Sequence, residues 1–170
     1  MVANKSIKDM APRITVISLE MKIHALVNKQ RQAYGLNLLK FDPNLAVISR
    51  SHSMDMQIHH FFSHTNPAGD GPSQRAKKNK FPCKKKIGDL IHEGIAENIF
   101  QTYLYNSISY NNGIPHYHWS TAEDIVRSIV KGWMQSPGHR KNILSGTYES
   151  EGVGVAISDG GKIFATQNFF

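Results

Sequence analysis

Cysteine is nearly absent from the chain, which has only Cys83 among its 170 residues. An internal disulfide is therefore excluded, which fits a reducing compartment and equally fits an extracytoplasmic protein from a cell that does not rely on disulfides. The sequence also lacks any apolar run of about 18 residues or more, so no segment is predicted to span a membrane. Residues 14–19 are too few and too interrupted for the core of a secretory signal peptide. Either the protein is not exported by that route, or its leader has been removed.

Acidic residues are scarce compared with basic ones: 13 Asp and Glu stand against 20 Lys and Arg, and the net charge is +7. The excess is concentrated in one stretch, which contains Arg75, Lys77, Lys78, Lys80, Lys84, Lys85 and Lys86. Such a run attracts anionic partners, here an envelope polymer, a lipid surface or nucleic acid. Phe81 is its only aromatic residue, so it has no stacking platform and nucleic acid is disfavoured. The simpler interpretation of the run is a solvated, mobile loop.

The composition, 40% hydrophobic and 19% charged, is typical of one compact domain. A chain of this length buries roughly 70% of the surface that it exposes when unfolded, so it needs neither a disulfide nor a metal to fold. The first residues are polar and irregular. We therefore predict a tail or linker over residues 1–14 and a single domain over residues 15–170.

Two early segments predict helices. Apolar side chains recur at helical spacing from Leu19 to Tyr34, and the glycine that follows is a typical stop. Asp42 and Pro43 supply an N-cap and a first-turn proline for a second helix, which we expect to run through Met56.

The strongest helical pattern lies later, where Ile125, Val126, Ile129, Val130, Trp133 and Met134 share one face. Ser120 and Glu123 have the spacing of a capping box at its start. We expect Pro137 and Gly138 to end it, and we interpret Trp133 as a core residue.

The rest of the chain favours irregular structure and strands. Residues 61–86 read as irregular surface segments, residues 93–101 as a strand, and residues 103–118 as turn-prone. Near the end, Val153, Val155 and Ile157 alternate with small residues, and a second strand follows over residues 163–170 after an Asp-Gly-Gly turn. We attribute Gly152 and Gly154 to close backbone packing. Without βαβ alternation, the fold class is α+β, with helices packed on a mostly antiparallel sheet.

Three distant segments supply a candidate polar cleft: Phe62-Ser-His64, Ala96-Glu97-Asn98 and Ser136-Pro-Gly-His139. Two imidazoles and one carboxylate suit Zn²⁺ and leave a coordination position for water. These three lack the tight spacing of motifs such as His-Glu-x-x-His. Our first interpretation is therefore a hydrogen-bonded cluster in which Glu97 accepts from one or both imidazoles, with Zn²⁺ or another divalent cation as the alternative.

Other polar residues have simpler interpretations. Ser63 or Ser136 would need a nearby base and an oxyanion hole to act as a nucleophile, and the sequence has no Gly-x-Ser-x-Gly elbow. We interpret Ser136 as a helix-terminal residue whose hydroxyl bonds the local backbone. We expect Asn98 and Asn142 to bond the backbone beside Glu97.

The remaining thiol and histidines receive no site role. The lysines around Cys83 would lower its pKa, but without a partner we interpret it as an incidental thiol. We expect His52, His59 and His60 to be exposed polar residues on or near the second helix.

The ordered motifs carry a resemblance. They are Asn28-Lys-Gln-Arg31, Met56, Phe62-Ser-His64, Ala96-Glu-Asn-Ile99, Gly132-Trp-Met-Gln-Ser-Pro-Gly-His-Arg-Lys-Asn-Ile-Leu144, Gly152-Val-Gly-Val-Ala156 and Thr166-Gln-Asn-Phe169. This set resembles the CAP superfamily (cysteine-rich secretory proteins, insect antigens and plant pathogenesis-related proteins), in its cysteine-poor prokaryotic SCP-like branch. The resemblance covers nearly the whole chain.

The resemblance implies a three-layer α-β-α sandwich, an extracellular or cell-surface location, and a cleft with two histidines and two acids that binds a divalent metal in some members. By position, His64, His139 and Glu97 match three of these residues. The second acid is replaced by Ser136, so the set is incomplete.

We therefore expect a binding or interaction module whose cleft, lined by His64, Glu97, His139, Ser136 and Asn98, accepts a small apolar or extended ligand. The alternative from another class is a metal-assisted hydrolase acting on peptides, with metal on His64 and His139 and Glu97 as ligand or general base. A third alternative is adhesion to an anionic polymer through the basic run.

Overall fold

The computed structural model describes residues 6–170. Its helices are α1 (Ile7–Met10), α2 (Val16–Ala33), α3 (Pro43–Ile58), α4 (Pro72–Lys78), α5 (Ala122–Gln135) and α6 (Pro137–Ile143). Its strands are β1 (Lys40–Phe41), β2 (Lys84–Ile87), β3 (Leu90–Glu93), β4 (Ala96–Tyr103), β5 (Tyr105–Asn111), β6 (Ile114–Trp119), β7 (Ser150–Ile157) and β8 (Lys162–Phe169).

A four-stranded sheet in the order β1-β7-β8-β4 lies between two layers of helices. The β7–β8 and β8–β4 pairs are antiparallel, and the short β1 pairs in parallel with β7. Because side chains alternate along a strand, Ile163 and Phe169 of β8 face the main core formed with α2 and α5, whereas Phe164 packs with Met56 of α3 on the other face. The α+β class and the α-β-α sandwich are therefore confirmed, and β4 is an outer strand of the sheet.

Helix α3 lies directly on the backbone of β7. A Cβ atom added to Gly152 would lie 2.1 Å from the Ala46 nitrogen, and one added to Gly154 would lie 1.9 Å from the Arg50 nitrogen. Real Cβ atoms do not approach backbone so closely, so only glycine fits at these two positions. The predicted role of both glycines in close packing is confirmed.

The helix signals of the sequence were mostly accurate. Asp42 accepts hydrogen bonds from the N–H groups of Asn44 and Leu45 at the start of α3, as predicted. The cap of α5 lies one residue later than predicted, because Thr121 pairs with Asp124. Ser120 is instead held by its N–H, which donates to the Leu104 carbonyl at 2.9 Å. Trp133 is fully buried, which confirms it as a core residue.

Two segments that we expected to be irregular are regular. Residues 61–86 contain α4 and most of β2, and β2 pairs with β3 in an antiparallel hairpin. Residues 103–118 form most of the β5–β6 hairpin, whose turn places Asn112 at φ 49° and Gly113 at φ 78°. Two positive φ angles in a two-residue connection are typical of a type I′ turn, for which Asn-Gly is the usual sequence. The turn signal was present, but the flanking strands are short and mostly polar.

The segment that we predicted as a tail or linker includes a short helix. Residues 7–10 form a short helix closed by a capping box between Ser6 and Asp9, and the Lys8 N–H donates to the Asp159 carbonyl at 3.1 Å. Part of the segment is therefore attached to the β7–β8 turn, and residues 1–5 lie outside the described part. No helix within residues 6–170 has the length and apolar character needed to cross a membrane.

Candidate functional site

Glu97 is the centre of a buried cluster of charges at the start of β4. Its side chain is 1% exposed, and it lies on the sheet face covered by α3. The Nδ1 atom of His64, from the loop after α3, donates to Glu97 Oε1 at 2.9 Å. The Nη2 atom of Arg75, from α4, donates to Glu97 Oε2 at 2.5 Å. The expected contact between His64 and Glu97 is present, with Arg75 as an additional partner.

Arg75 binds more than the carboxylate. Its Nη1 atom donates to the backbone carbonyls of His64 and Asp70, each at 2.8 Å. One guanidinium thus neutralises Glu97 and also holds the loop that carries His64. Arg75 is 7% exposed, so its assignment to a solvated loop was wrong. No local pattern could identify it, because a single arginine in a run of lysines looks like part of that run.

His52 is a second residue whose position we predicted wrongly, since its side chain is fully buried. Its Nε2 atom lies 3.0 Å from the Ser63 carbonyl and 3.8 Å from Glu97 Oε1. Burial lowers the pKa of His52, and the opposing attraction of Glu97 is smaller, so the neutral imidazole is favoured. The helical spacing of His52 with Ser49 and Met56 was an available signal, since all three face the sheet. His59 and His60 are exposed, as expected.

His139 reaches the site from the opposite layer. It lies in the first turn of α6, which Pro137 begins, so Pro137 starts a new helix instead of only ending α5. The rings of His64 and His139 are 6.1 Å apart between centroids, at 62°. Burial lowers the pKa of His139, and repulsion from His64 lowers it further by a smaller amount. We call these two residues the histidine pair; the His64 side chain is 47% exposed, and His139 is partly buried.

Asn98 lies on the other face of β4 from Glu97 and supports α6 from below. It is fully buried, and its Nδ2 atom donates to the His139 carbonyl at 3.2 Å and to Gln167 Oε1 at 3.1 Å. Asn142 in turn donates to Asn98 Oδ1 at 2.9 Å. Asn98 therefore bonds the backbone, as expected, and positions His139 instead of lining its exposed side.

The series of side-chain amide hydrogen bonds continues from Asn98 through Gln167 into a second buried cluster, which was not predicted from the sequence. Gln167 donates to the Glu151 carboxylate, whose other oxygen lies 2.5 Å from His24 Nδ1. Glu151 is fully buried. The run Thr166-Gln167-Asn168 within an otherwise apolar strand was the signal for it, because polar side chains in a buried strand need partners.

Ser136 is partly buried where α5 meets α6. Its hydroxyl makes no capping hydrogen bond at the start of α6, although its backbone carbonyl accepts from the Arg140 N–H at 2.8 Å. The predicted bond from the hydroxyl to the local backbone is therefore not seen at this cap. The Ser63 hydroxyl accepts from the Thr65 N–H at 3.2 Å, an ordinary turn contact.

A divalent cation fits this arrangement poorly. Both oxygens of Glu97 are engaged, and one of them faces a guanidinium that already supplies the compensating positive charge. Among the side chains that the structure describes, no group of three or more His, Cys, Asp and Glu residues is arranged to hold a metal ion. Zinc on His64, His139 and Glu97 stays a prediction, and Arg75 is the argument against Glu97 as a ligand.

Cys83 and the lysines also differ from expectation. Cys83 is buried, and burial raises its pKa more than Lys77 lowers it, so the predicted lowering was wrong. A buried thiol of raised pKa is unreactive. Lys77 lies 2.9 Å from Glu93, and Lys78 lies 2.5 Å from Asp70. These paired side chains belong to a helix and are not part of a mobile loop.

Comparison with known proteins agrees with the fold. The sequence model of the family described as CAP, cysteine-rich secretory protein family, matches residues 24–169. The chain is 29% identical over 153 residues to the uncharacterized protein YkwD of Bacillus subtilis (strain 168), covering 90% of this chain and 48% of that protein. It is 25% identical over 169 residues to the uncharacterized membrane protein YlbC of the same strain, covering 99% of this chain and 39% of that protein.

Among solved structures, the fold is similar to that of an extracellular protein containing a SCP domain from Bacillus anthracis str. Ames. The TM-score is 0.67 at 26% identity, covering 94% of this chain and 45% of that chain. The chain thus spans half or less of the length of these three proteins.

Proposed function

Because the chain belongs to the CAP, cysteine-rich secretory protein family, we propose that it is a binding module that works outside the cytoplasm. Its cleft lies at His64, Glu97 and His139 and accepts a small apolar or extended ligand. The observation that carries this proposal is the buried Glu97–Arg75 pair beneath two partly exposed imidazoles. The pair supplies a rigid base, and the imidazoles supply the groups that a ligand can reach.

The hydrogen bonds determine what these imidazoles present. Glu97, paired with Arg75, can only accept, so His64 carries its proton on Nδ1. In its neutral form, His64 then has an acceptor at Nε2. The lowered pKa of His139 favours the neutral form of that ring. We therefore expect the ligand to offer an N–H or O–H donor to the histidine pair, beside an apolar or extended portion.

The location outside the cytoplasm is supported by the Bacillus anthracis structure, whose name describes an extracellular protein. The rival function is a metal-assisted hydrolase that uses His64, His139 and Glu97. It requires Glu97 to leave Arg75 in order to bind the metal or act as a base, and buried ion pairs of this kind are costly to break. The non-catalytic function is therefore favoured. Adhesion of an anionic polymer is weakened as an alternative, since Arg75 is buried and Lys77 and Lys78 are paired.

Isothermal titration with 1-decanol, an apolar chain that carries an O–H donor, and with a capped hexapeptide of alternating Thr and Val tests the proposal. We expect at least one probe to bind. Both His64→Ala and His139→Ala should weaken its affinity about tenfold or more, because each removes a buried hydrogen bond to the ligand and the packing around it. His59→Ala is the matched control, because His59 is exposed and does not face Glu97.

Equal binding by all variants would refute a role for the histidine pair. Stoichiometric zinc in the purified protein, lost in the double variant His64→Ala, His139→Ala, would favour the hydrolase instead.

A further inference from the structure

We propose that the open edge of β4, formed by Gln101 and Tyr103, binds an extended peptide by strand addition and directs its end at the histidine pair. This inference rests on the proposed function and names its ligand class.

The hydrogen bonds around β8 determine which way each residue of β4 points. In an antiparallel pair, the N–H and C=O of one residue face the same neighbour. The Lys162 carbonyl accepts from the Ser158 N–H at 2.8 Å. The backbone N–H and C=O groups of even-numbered residues in β8 therefore point to β7, and those of odd-numbered residues point to β4. Through the register Gln167↔Asn98 and Ala165↔Phe100, the even-numbered residues of β4 face β8.

The backbone N–H and C=O groups of the odd-numbered residues of β4 therefore point outward, away from β8. Two further bonds agree with this assignment. The outward carbonyl of Glu97 accepts from Asn142 Nδ2 at 3.4 Å, and the N–H of the even-numbered Leu104 turns inward to the Gly161 carbonyl at 2.8 Å. Beyond Glu97, the described groups of the chain make no hydrogen bond to the outward N–H or C=O groups of Ile99, Gln101 and Tyr103.

The opposite edge of the sheet is treated differently. There β1 pairs with residues Ser150 and Glu151 of β7, and farther along the Val155 N–H donates to the buried carboxylate of Glu20 at 3.0 Å. One outer strand thus has built-in partners, whereas the open edge of β4 has none in the described part of the chain. Proteins ordinarily cover or block such edges, because they pair with other strands.

The open edge is accessible and directed at the site. Gln101 is exposed and Tyr103 is 42% exposed, whereas Ile99, nearer Glu97, is largely covered. From Tyr103 to Glu97 the strand extends about 20 Å, at about 3.4 Å per residue. His64 comes from the α3 layer and His139 from α6, so their rings meet at the Glu97 end of the edge.

The backbone donors and acceptors of the open edge indicate which kind of ligand binds there. Alternating donors and acceptors at strand spacing match the backbone of another extended polypeptide, and this is the strand-addition mode of peptide recognition. Its side chains would alternate between the two helix layers, and its leading residue would meet the histidine pair. An acyl chain offers no backbone groups to this row and is not expected to bind along it.

The capped hexapeptide of alternating Thr and Val is the probe, measured by titration against Gln101→Pro and Gln101→Ala. Both variants lose the side chain, but only proline loses the outward N–H, and an outer edge is where a strand tolerates proline. We expect Gln101→Pro to weaken binding by about threefold to tenfold or more relative to Gln101→Ala, the effect of one backbone hydrogen bond. Circular dichroism and the melting temperature show whether the proline variant folds.

Two N-methylated peptides test the same contact from the ligand side and need no protein variant. One is methylated on the amides of one edge and the other on the amides of the opposite edge. Strand addition predicts that one of them loses binding and the other keeps it. Equal loss or equal retention would overturn strand addition, as would equal binding by Gln101→Pro and Gln101→Ala.

The outcomes separate this inference from the function it rests on. Binding lost in His64→Ala but unchanged in Gln101→Pro overturns the edge and leaves the cleft. Binding lost in Gln101→Pro but unchanged in His64→Ala supports the edge and overturns the role of the histidine pair. Absence of peptide binding at about 1 mM, a Kd that corresponds to about 4 kcal/mol, overturns the edge, and 1-decanol binding then decides the cleft. A dimer that Gln101→Pro dissociates would identify a second copy as the occupant and overturn the peptide.

Discussion

Replacing Arg75 by methionine should destabilise the protein far more than its place in a lysine-rich run suggests. Arg75 donates to Glu97 Oε2 at 2.5 Å and to the carbonyls of His64 and Asp70 at 2.8 Å each. Methionine fills similar volume but leaves three acceptors without this donor, one of them a carboxylate that is 1% exposed. Breaking a buried ion pair from one side costs about 3–5 kcal/mol, because a buried charge is left uncompensated.

Urea denaturation followed by circular dichroism measures this cost as a shift of the midpoint at unchanged slope. The matched control is Lys78→Met in the same helix. Its amine also lies 2.5 Å from a carboxylate, that of Asp70, but is 65% exposed. Since exposed ion pairs contribute little, we expect nearly the wild-type midpoint.

A double-mutant cycle with Glu97→Gln isolates the pair. Removing both charges leaves no buried ion. The loss of unfolding free energy in the double variant should therefore be smaller than the sum of the two single losses by about 1–3 kcal/mol. Additive effects, or an Arg75→Met midpoint no lower than that of Lys78→Met, would refute the idea that Arg75 and Glu97 form one structural unit beneath the histidine pair.

Three further predictions follow from buried groups. Burial lowers the folded-state pKa of His52 below its ordinary value of about 6.5, so the unfolded chain binds more protons below that pH; stability should fall as pH drops below about 6.5, with a smaller slope in His52→Gln, and an unchanged slope would contradict this. Gly154→Ala should cost about 3 kcal/mol or more, or prevent folding, because its Cβ would lie 1.9 Å from the Arg50 nitrogen, whereas Gly146→Ala, with nothing within 4 Å, should keep the wild-type melting temperature. Cys83 should react with iodoacetamide slowly in the native protein and rapidly in denaturant, since it is buried and its pKa is raised; rapid labelling of native protein would show that it is accessible.

Sequence and structure agree where one local pattern decides the outcome. The α3 start at Asp42 and Pro43 rests on capping chemistry within one turn, and the alternation of Val153, Val155 and Ile157 has the period of a strand. These features were predictable because hydrogen bonding and periodicity act over a few residues. The same holds for Gly154, whose place between bulky strand residues indicated a close approach of backbone.

Residues whose partner lies far along the chain were not predictable from their local sequence. Arg75 finds Glu97 22 residues away, and His52 lies near Glu97 45 positions later. Nothing in the lysine-rich neighbourhood of Arg75 distinguishes a buried guanidinium from a solvated one. Cys83 shows the same failure, since local charge suggested a lowered pKa but burial dominates and raises it.

By itself, the order of residues determined the α+β class through its periodicity. Its ordered motifs indicated the family, and the resemblance to that family predicted the α-β-α layering and the two histidines and the acid of the candidate site. Only the tertiary structure decided that Glu97 is neutralised by Arg75, that Asn98 lies beneath α6 on the other face of β4, and that β4 is an outer strand of the sheet. The physical reason is that burial and strand order result from the packing of distant segments. The same carboxylate, amide or backbone N–H can face water, a cation or another strand, and its neighbours in the chain do not decide which.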